Sequence, residues 1–285
     1  MARKKKTGRN LGIVSIVGPG LIGGSIGLGL RKNGLCESVI GIGHRRVSLA
    51  KALRMGAIDE ATQDIEKGVA KADVVILCTS VRLIPDMAAR AIPAMKRGAI
   101  LTDVGSTKRE IVETVGRIRR KDTAFIGGHP IAGSEKRGID AARKDLFEGS
   151  VCILTPTGRN MGALRTIKAM WQGLGARVHT LSPKEHDKTL ASTSHLPLLL
   201  AASLVNMVGA KKLPFTGPGF RDMTRIASSD PVLWCDILLQ NRREVLAALA
   251  SFEKELDALK FAMDKKRPGR LSSRLLRAKR LRDTL

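Results

Sequence analysis

Apolar residues follow two rhythms along this chain. From residue 11 to about 182, apolar runs of four or five residues alternate with amphipathic or small-residue stretches. After Ser182-Pro183 only helical spacing remains. The short runs predict strands at 13–17, 38–43, 74–78, 99–102, 123–126, 151–154 and 177–180. The uninterrupted Val74-Val75-Ile76-Leu77-Cys78 is of the kind buried on both faces of a parallel sheet. Helices are expected between them: one ending at Arg31-Lys32, then 47–55, 84–95, 108–118 and 161–174, with 57–62 as a connection. Strand alternating with helix predicts an α/β fold, a Rossmann-type doubly wound parallel sheet. The second rhythm predicts an all-helical C-terminal domain.

In that second part, residues 184–208 read as a long helix with Pro197 inside it, where a kink or break is expected. Asp230-Pro231 reads as the cap and first position of another helix. The last long helix carries Val245, Leu249, Phe252, Leu256, Leu259 and Met263, a four-three repeat that forms the seam of a packed helix. Either another helix of this chain or a second copy can cover that seam. The expected organisation is a basic arm at 1–10, a dinucleotide-binding domain at 11–182, a helical substrate and dimerisation domain at 183–264, and a basic tail at 265–285, solvated or partly helical.

The first strand, helix and strand enclose Gly18-Pro19-Gly20-Leu21-Ile22-Gly23, a G-x-G-x-x-G in the context that gives the motif meaning. Gly18 permits the turn out of the strand, Gly20 lets a pyrophosphate approach the backbone, and Gly23 lets helix and strand pack closely. The helix N-terminus, with Leu21 and Ile22, presents free N–H groups to phosphate. A site selective for NAD places Asp or Glu near the end of the second strand. Here that end reads Gly43-His44-Arg45-Arg46 and carries no carboxylate. Two guanidiniums suit a 2′-phosphate, so NADP is favoured over NAD, with His44 beside the arginine clamp.

Composition narrows the class. The chain has 285 residues, room for one large or two medium domains, and a hydrophobic share of 43%, enough for a core. Its four cysteines stand singly, without a C-x-x-C pair, so no zinc site or disulfide framework is indicated. The run 11–30 is uncharged behind a basic arm, yet Pro19 and its many glycines oppose a membrane-spanning helix. A cytoplasmic protein is expected. The net charge of +24 invites nucleic acid as a partner. Aromatic residues make up only 3% and no nucleic-acid motif accompanies the charge, so a basic surface that attracts anionic ligands is the expected role.

Ligands in such sheets sit beyond the carboxyl ends of the strands. Three stretches should meet there: Thr79-Ser80, Asp103-Val104-Gly105-Ser106-Thr107-Lys108, and His129-Pro130-Ile131-Ala132-Gly133-Ser134-Glu135. A histidine at a strand end beside a hydroxyl suits general acid/base chemistry near neutral pH. No metal site is expected.

Those blocks, with Ser194-His195-Leu196-Pro197 and Phe220-Arg221-Asp222-Met223-Thr224-Arg225-Ile226-Ala227 following in order, make residues 13–264 resemble the prephenate/arogenate dehydrogenase family of tyrosine biosynthesis. The resemblance implies oxidative decarboxylation of prephenate or arogenate with NAD(P). It implies His129 as the group taking the ring hydroxyl proton, Ser106 as its hydrogen-bonding partner at the reacting centre, and Arg225 as the clamp on a substrate carboxylate. It places His195 and Ser134 on the substrate side, with His186 a weaker candidate, and implies a homodimer through the C-terminal helices. Many members read S-H-L-P-H where this chain has Leu198, which leaves arogenate open beside prephenate. No appended regulatory domain is expected. Two other readings remain: a Rossmann dehydrogenase of the hydroxyacid or imine-reductase kind, or a nucleotide-sensing regulator without turnover.

Overall fold

The computed structural model describes residues 10–133, 137–158 and 160–284. Chain order begins with β1 (Ile13–Val17), α1 (Leu21–Lys32), β2 (Ser38–Ile42), α2 (Arg46–Arg54), β3 (Glu60–Thr62), α3 (Ile65–Val69), β4 (Val74–Leu77), α4 (Ile84–Ala94), β5 (Ile100–Asp103) and α5 (Arg109–Ile118). It continues with β6 (Ala124–Ile131), β7 (Val151–Pro156), α6 (Met161–Gly173) and β8 (Arg177–Thr180).

One eight-stranded sheet runs β3-β2-β1-β4-β5-β6-β7-β8. The six strands from β3 to β6 are parallel, with Val17 of β1 level with Ile42 of β2 and Leu77 of β4. The expectation of a parallel sheet needs correcting at one place: β7 runs antiparallel to β6, with His129 opposite Ile153. A parallel neighbour needs a crossover, usually a helix. Among the described residues between β6 and β7 there is only a single-turn 3₁₀ helix at Ile139–Ala141, with no crossover helix to carry the chain to a parallel position. A second correction is at 57–62, where β3 forms on the outer edge, followed by the short α3. Three residues with no apolar alternation leave no strand signal. The strand expected at 123–126 extends to Ile131, so His129 and Pro130 are inside the sheet.

Each face of the sheet has its own core, because successive β residues point to opposite sides. Val14 and Ile16 face a layer with Ile26, Leu30, Ile167 and Trp171 from α1 and α6. Val17, Val75 and Leu77 face the opposite layer, with Val69, Ile84, Ala88, Ile111 and Val115 from α3, α4 and α5. Ser15, fully buried on the same face as Val17, donates its hydroxyl to the carbonyl of Gly68 in α3 at 2.6 Å.

The remainder is helical: α7 (Pro183–Leu190), α8 (Leu196–Lys212), α9 (Pro218–Thr224), α10 (Pro231–Gln240), α11 (Arg242–Asp264) and α12 (Pro268–Arg282). Ser182 and Glu185 form a reciprocal capping box at the start of α7. The break expected at Pro197 occurs one turn earlier, as a π-helical turn at Ala191–His195. The backbone accommodates the missing proline N–H there, and Pro197 then sits in the first turn of α8 where that N–H has no partner to lose. Residues Pro183–Phe215 are long and apolar enough by composition to cross a membrane. The π turn and a non-helical Gly209 (φ +66°) interrupt them. Asp230 caps α10, accepting from the N–H groups of Val232 (2.7 Å) and Leu233 (3.1 Å).

The seam on α11 is divided. Val245 is buried, and Leu249 and Phe252 pack beside it against Ala191 and Leu196. Leu256 and Met263, at 42% and 65% exposure, have no cover within the described chain. The basic tail is itself a helix: α12 lies along α11 and Arg274 pairs with Glu255 at 2.5 Å. Residues 1–9 lie outside the described residues, so the basic arm has no structural account.

Candidate active site

The glycine turn after β1 forms as its spacing requires. Gly18 has φ +89°, and a Cβ there would sit 2.8 Å from the carbonyl oxygen of Cys78. A Cβ on Gly23 would lie 2.8 Å from Ile16 Cγ2. These two positions are steric. Gly20 differs, since nothing stands within 4 Å of where its Cβ would be. That open space, at the N-terminus of α1, is the approach a pyrophosphate needs.

The opening leads into a cleft of about 590 Å³ between the sheet's carboxyl edge and the helical part. Gly20, Leu21 and Ile22 line one end, and Thr79, Ser80, Ser106 and His129 line the floor. Arg225, Ile226, Asp230 and Trp234 close it from the helical side. Thr79 Oγ1 is buried and has no hydrogen-bond partner among the described residues. An unsatisfied buried hydroxyl costs about 1–3 kcal/mol, so a polar ligand is expected to reach it. The open Gly20 turn and the orphaned Thr79 hydroxyl both fit a dinucleotide.

Ser106 is placed by the loop that follows β5. Asp103, fully buried, anchors that loop: its Oδ2 accepts from the N–H of Gly105 at 2.8 Å and its Oδ1 from the N–H of Gly128 at 3.1 Å. Lys108, also fully buried, pairs with the same Asp103 carboxylate. Thr107 then donates its hydroxyl to Gln240 Oε1 at 2.5 Å, and Gln240 Nε2 donates to the Val81 carbonyl at 3.3 Å. One loop therefore ties the sheet to the α10–α11 junction.

His129 is 9% exposed, and its Nδ1 lies 2.8 Å from Nε2 of His186. Burial, then the neighbouring His186, Lys108 and His195, hold its pKa well below the ordinary histidine value of 6.5. His129 is therefore neutral at pH 7 and able to accept a proton. Burial likewise lowers His195, to about 4.

The structure brings Leu21, Ile22, Gly20, Thr79, Ser80, Ser106, His129 and Arg225 onto one cleft. His195 is not on its surface. It lies 1% exposed behind the wall, its ring 5.9 Å from that of Trp234, with Asn241 Nδ2 donating to its Nδ1 at 3.1 Å. His44, Arg45 and Arg46 are exposed past the end of β2, away from the cleft lining, where Arg46 Nε donates to Gln63 Oε1 at 2.9 Å. Ser134 and Glu135 lie outside the described residues. Sequence reasoning missed Trp234, Arg137 and Asp230 as cleft residues; Arg137 and Asp230 form an ion pair across the mouth. Asp230 was legible only as a helix cap, a role it also plays. Among the described residues no group of three His, Cys, Asp or Glu is placed to hold a metal ion.

A Rossmann sheet whose glycine turn opens onto a cleft closed by a helical domain, with a neutral histidine and a serine on its floor, defines the class of two-domain dinucleotide-dependent dehydrogenases. Residues 26–180 match the prephenate dehydrogenase nucleotide-binding domain, and residues 182–277 match the prephenate dehydrogenase dimerization domain. The chain belongs to the prephenate dehydrogenase family of oxidoreductases in tyrosine biosynthesis. The second match takes in the apolar run 183–215 and most of α12.

Among relatives, prephenate dehydrogenase of Bacillus subtilis is 35% identical over 280 residues, covering 95% of this chain and 76% of its own. Cyclohexadienyl dehydrogenase of Zymomonas mobilis is 35% identical over 262 residues, covering 88% of each. Among solved structures, A. aeolicus prephenate dehydrogenase in complex with hydroxyphenyl propionate and NAD+ superposes with a TM-score of 0.90 at 35% identity, covering 97% of this chain and 99% of that one. Synechocystis arogenate dehydrogenase superposes with a TM-score of 0.84 at 31% identity, covering 95% and 99%.

Proposed function

We propose that this chain oxidatively decarboxylates a cyclohexadienol, prephenate or arogenate, with NADP preferred over NAD. The observation that carries the reading is that His129, buried and hydrogen-bonded to His186, lines with Ser106 the cleft that also takes in Gly20 of the glycine turn and Arg225. A nicotinamide held at the Gly20 turn would supply the hydride acceptor for the carbinol carbon. His129 takes the proton of the ring hydroxyl, so that its O–H electrons form the new carbonyl. Ser106 hydrogen-bonds at the same oxygen and orients it. As the ring carboxylate leaves as carbon dioxide, the electron pair of the broken C–C bond passes through the ring to that carbonyl oxygen, which regains a proton as the ring becomes aromatic. Arg225 is exposed within the cleft and offers a fork to a substrate carboxylate, which fixes the ring for reaction. Ser134 belongs to this substrate side by its place in the block after His129. His195, behind Trp234, acts on the substrate wall from the second row.

Two features support NADP. The β2 end has no carboxylate to take a ribose hydroxyl pair, and Arg45 and Arg46 are both exposed there. Leu198 is buried in α8 and is not a lining residue of the cleft, so both substrates remain in the proposal. The helical part supports a homodimer: it matches a dimerization domain, and Leu256 and Met263 lie open on α11. The family's place in tyrosine biosynthesis and the four free thiols are in keeping with the cytoplasmic location proposed here.

The test is cofactor reduction by the purified protein with each substrate against each nucleotide. Turnover with NADP exceeding that with NAD is expected, and Arg45→Ala/Arg46→Ala should raise the KM for NADP at least tenfold while sparing that for NAD. Equal loss for both nucleotides contradicts the clamp. Silence in all four pairs, from protein that binds a dinucleotide, contradicts the activity.

A further inference from the structure

Behind His129 runs a buried polar line that the reaction described above does not use. His129 Nδ1 meets His186 Nε2 at 2.8 Å, and His186 Nδ1 meets Asp187 Oδ1 at 2.7 Å. His186 is fully buried and Asp187 is 3% exposed. Asp187 is held from the other side: Oδ1 accepts from the N–H of Lys108 at 2.8 Å and Oδ2 from the N–H of Arg109 at 2.9 Å, at the start of α5. Asn241 Nδ2 donates to the Asp187 carbonyl at 2.8 Å and fixes its backbone as well.

These contacts dictate where the protons are. Burial raises the Asp187 pKa, but His186 and the two N–H donors outweigh it and hold the group below the ordinary value, so it is ionised. An ionised carboxylate only accepts. His186 Nδ1 must therefore carry the hydrogen. His186 is neutral, because burial outweighs the pull of Asp187 and lowers its pKa. Its Nε2 is then bare and accepts the hydrogen of His129 Nδ1. That leaves Nε2 of neutral His129 without a hydrogen, the form a general base needs.

We infer that Asp187 and His186 are positioning residues that lock His129 in the Nδ1–H tautomer and support the positive charge it acquires on taking the hydroxyl proton. The inference rests on the proposed role of His129 as base. The step balances simply: the substrate O–H bond breaks, an N–H bond forms at His129 Nε2, and the His129 Nδ1–H bond to His186 shortens without itself breaking. The new charge meets Asp187 through one imidazole, the arrangement by which a buried carboxylate orients and stabilises a catalytic histidine. Other groups face the line. Lys108 opposes the charge on His129 and His186, while Asp103 favours it on His186. His195 opposes it on His129. Cys152 on β7 has its thiol pushed up by burial and is uncharged.

The experiment begins with histidine-selective nitrogen-15 NMR of the full-length protein at neutral pH, which reports the tautomer of each ring without any turnover. His129 and His186 are both expected as Nδ1–H. Kinetics follow on His186→Leu, His186→Gln and His129→Asn. The leucine removes the acceptor and should lower kcat about 10²-fold with KM and dinucleotide affinity within threefold. Glutamine places an amide oxygen near the lost Nε2 and should recover at least tenfold of that. A His129 Nε2–H tautomer in the native protein overturns the inference, as does wild-type kcat in His186→Leu while His129→Asn is inactive. Full turnover in His129→Asn overturns the base assignment itself. If His186→Leu does not fold, the native tautomer decides alone.

Discussion

Replacing Lys108 by Met tests how the loop carrying Ser106 is held. Lys108 and Asp103 are both fully buried and paired, with no other charged partner for Asp103 among the described residues. Breaking such a pair from one side leaves a buried charge uncompensated and costs about 3–5 kcal/mol. Asp103 keeps two backbone donors, Gly105 and Gly128, so the lower end is expected, about 3 kcal/mol. Methionine preserves most of the stem, so lost packing contributes little. With a urea m-value of about 2 kcal/mol/M, the midpoint should fall by about 1.5 M. By heat, Tm should fall by roughly 6–12 °C. The double variant Lys108→Met/Asp103→Asn removes the stranded charge and should regain stability relative to Lys108→Met alone. Urea unfolding followed by circular dichroism reads all three proteins. A loss under 1 kcal/mol in the single variant, or strictly additive losses in the double, would refute the claim that this pair holds the loop.

Other outcomes follow from the same structure. A Cβ at Gly20 meets no neighbour within 4 Å, so in Gly20→Val Tm should change by less than about 2 °C while the dinucleotide Kd rises at least tenfold; calorimetric binding at unchanged affinity contradicts the phosphate approach. His195 bears on acid stability. Its folded value of about 4 lies below the unfolded 6.5, so the unfolded chain binds the proton first and stability is lost as pH falls from 6.5 towards 4, by about 3 kcal/mol for this group. Asn in its place should flatten that stretch of the stability–pH curve, and an unchanged slope contradicts a neutral buried His195. Because His129 is also depressed, kcat/KM should hold at pH 6.5 and fall only in more acid buffer. Leu256→Glu/Met263→Glu should shift the sedimenting species towards monomer, since both side chains are open on α11; a full-size dimer at micromolar concentration contradicts the seam as interface.

What the sequence carried well was periodicity. The parallel strands β1, β2 and β4, and the glycine turn between them, follow from local spacing that tertiary contacts do not override. The cap at Asp230 was legible for the same reason. The reversal at β7 was not, because strand direction depends on how the chain returns and not on the strand's own residues. β3 carries too few residues for a period. The π turn at Ala191–His195 resolves a conflict between Pro197 and a continuous helix, and only packing decides where that falls. In the site, His129, Ser106 and Arg225 could be picked by residue type and block. The line His129–His186–Asp187 could not, since it joins β6 to α7 across 57 residues. The adjacent His186-Asp187 pair was its one visible trace.

The central claim is oxidative decarboxylation, and its most direct measurement is stoichiometry. Substrate labelled with carbon-13 in the ring carboxylate, mixed with the purified protein and oxidised nucleotide, should release one labelled carbon dioxide for each nucleotide reduced. Nucleotide reduction without labelled carbon dioxide would contradict the account.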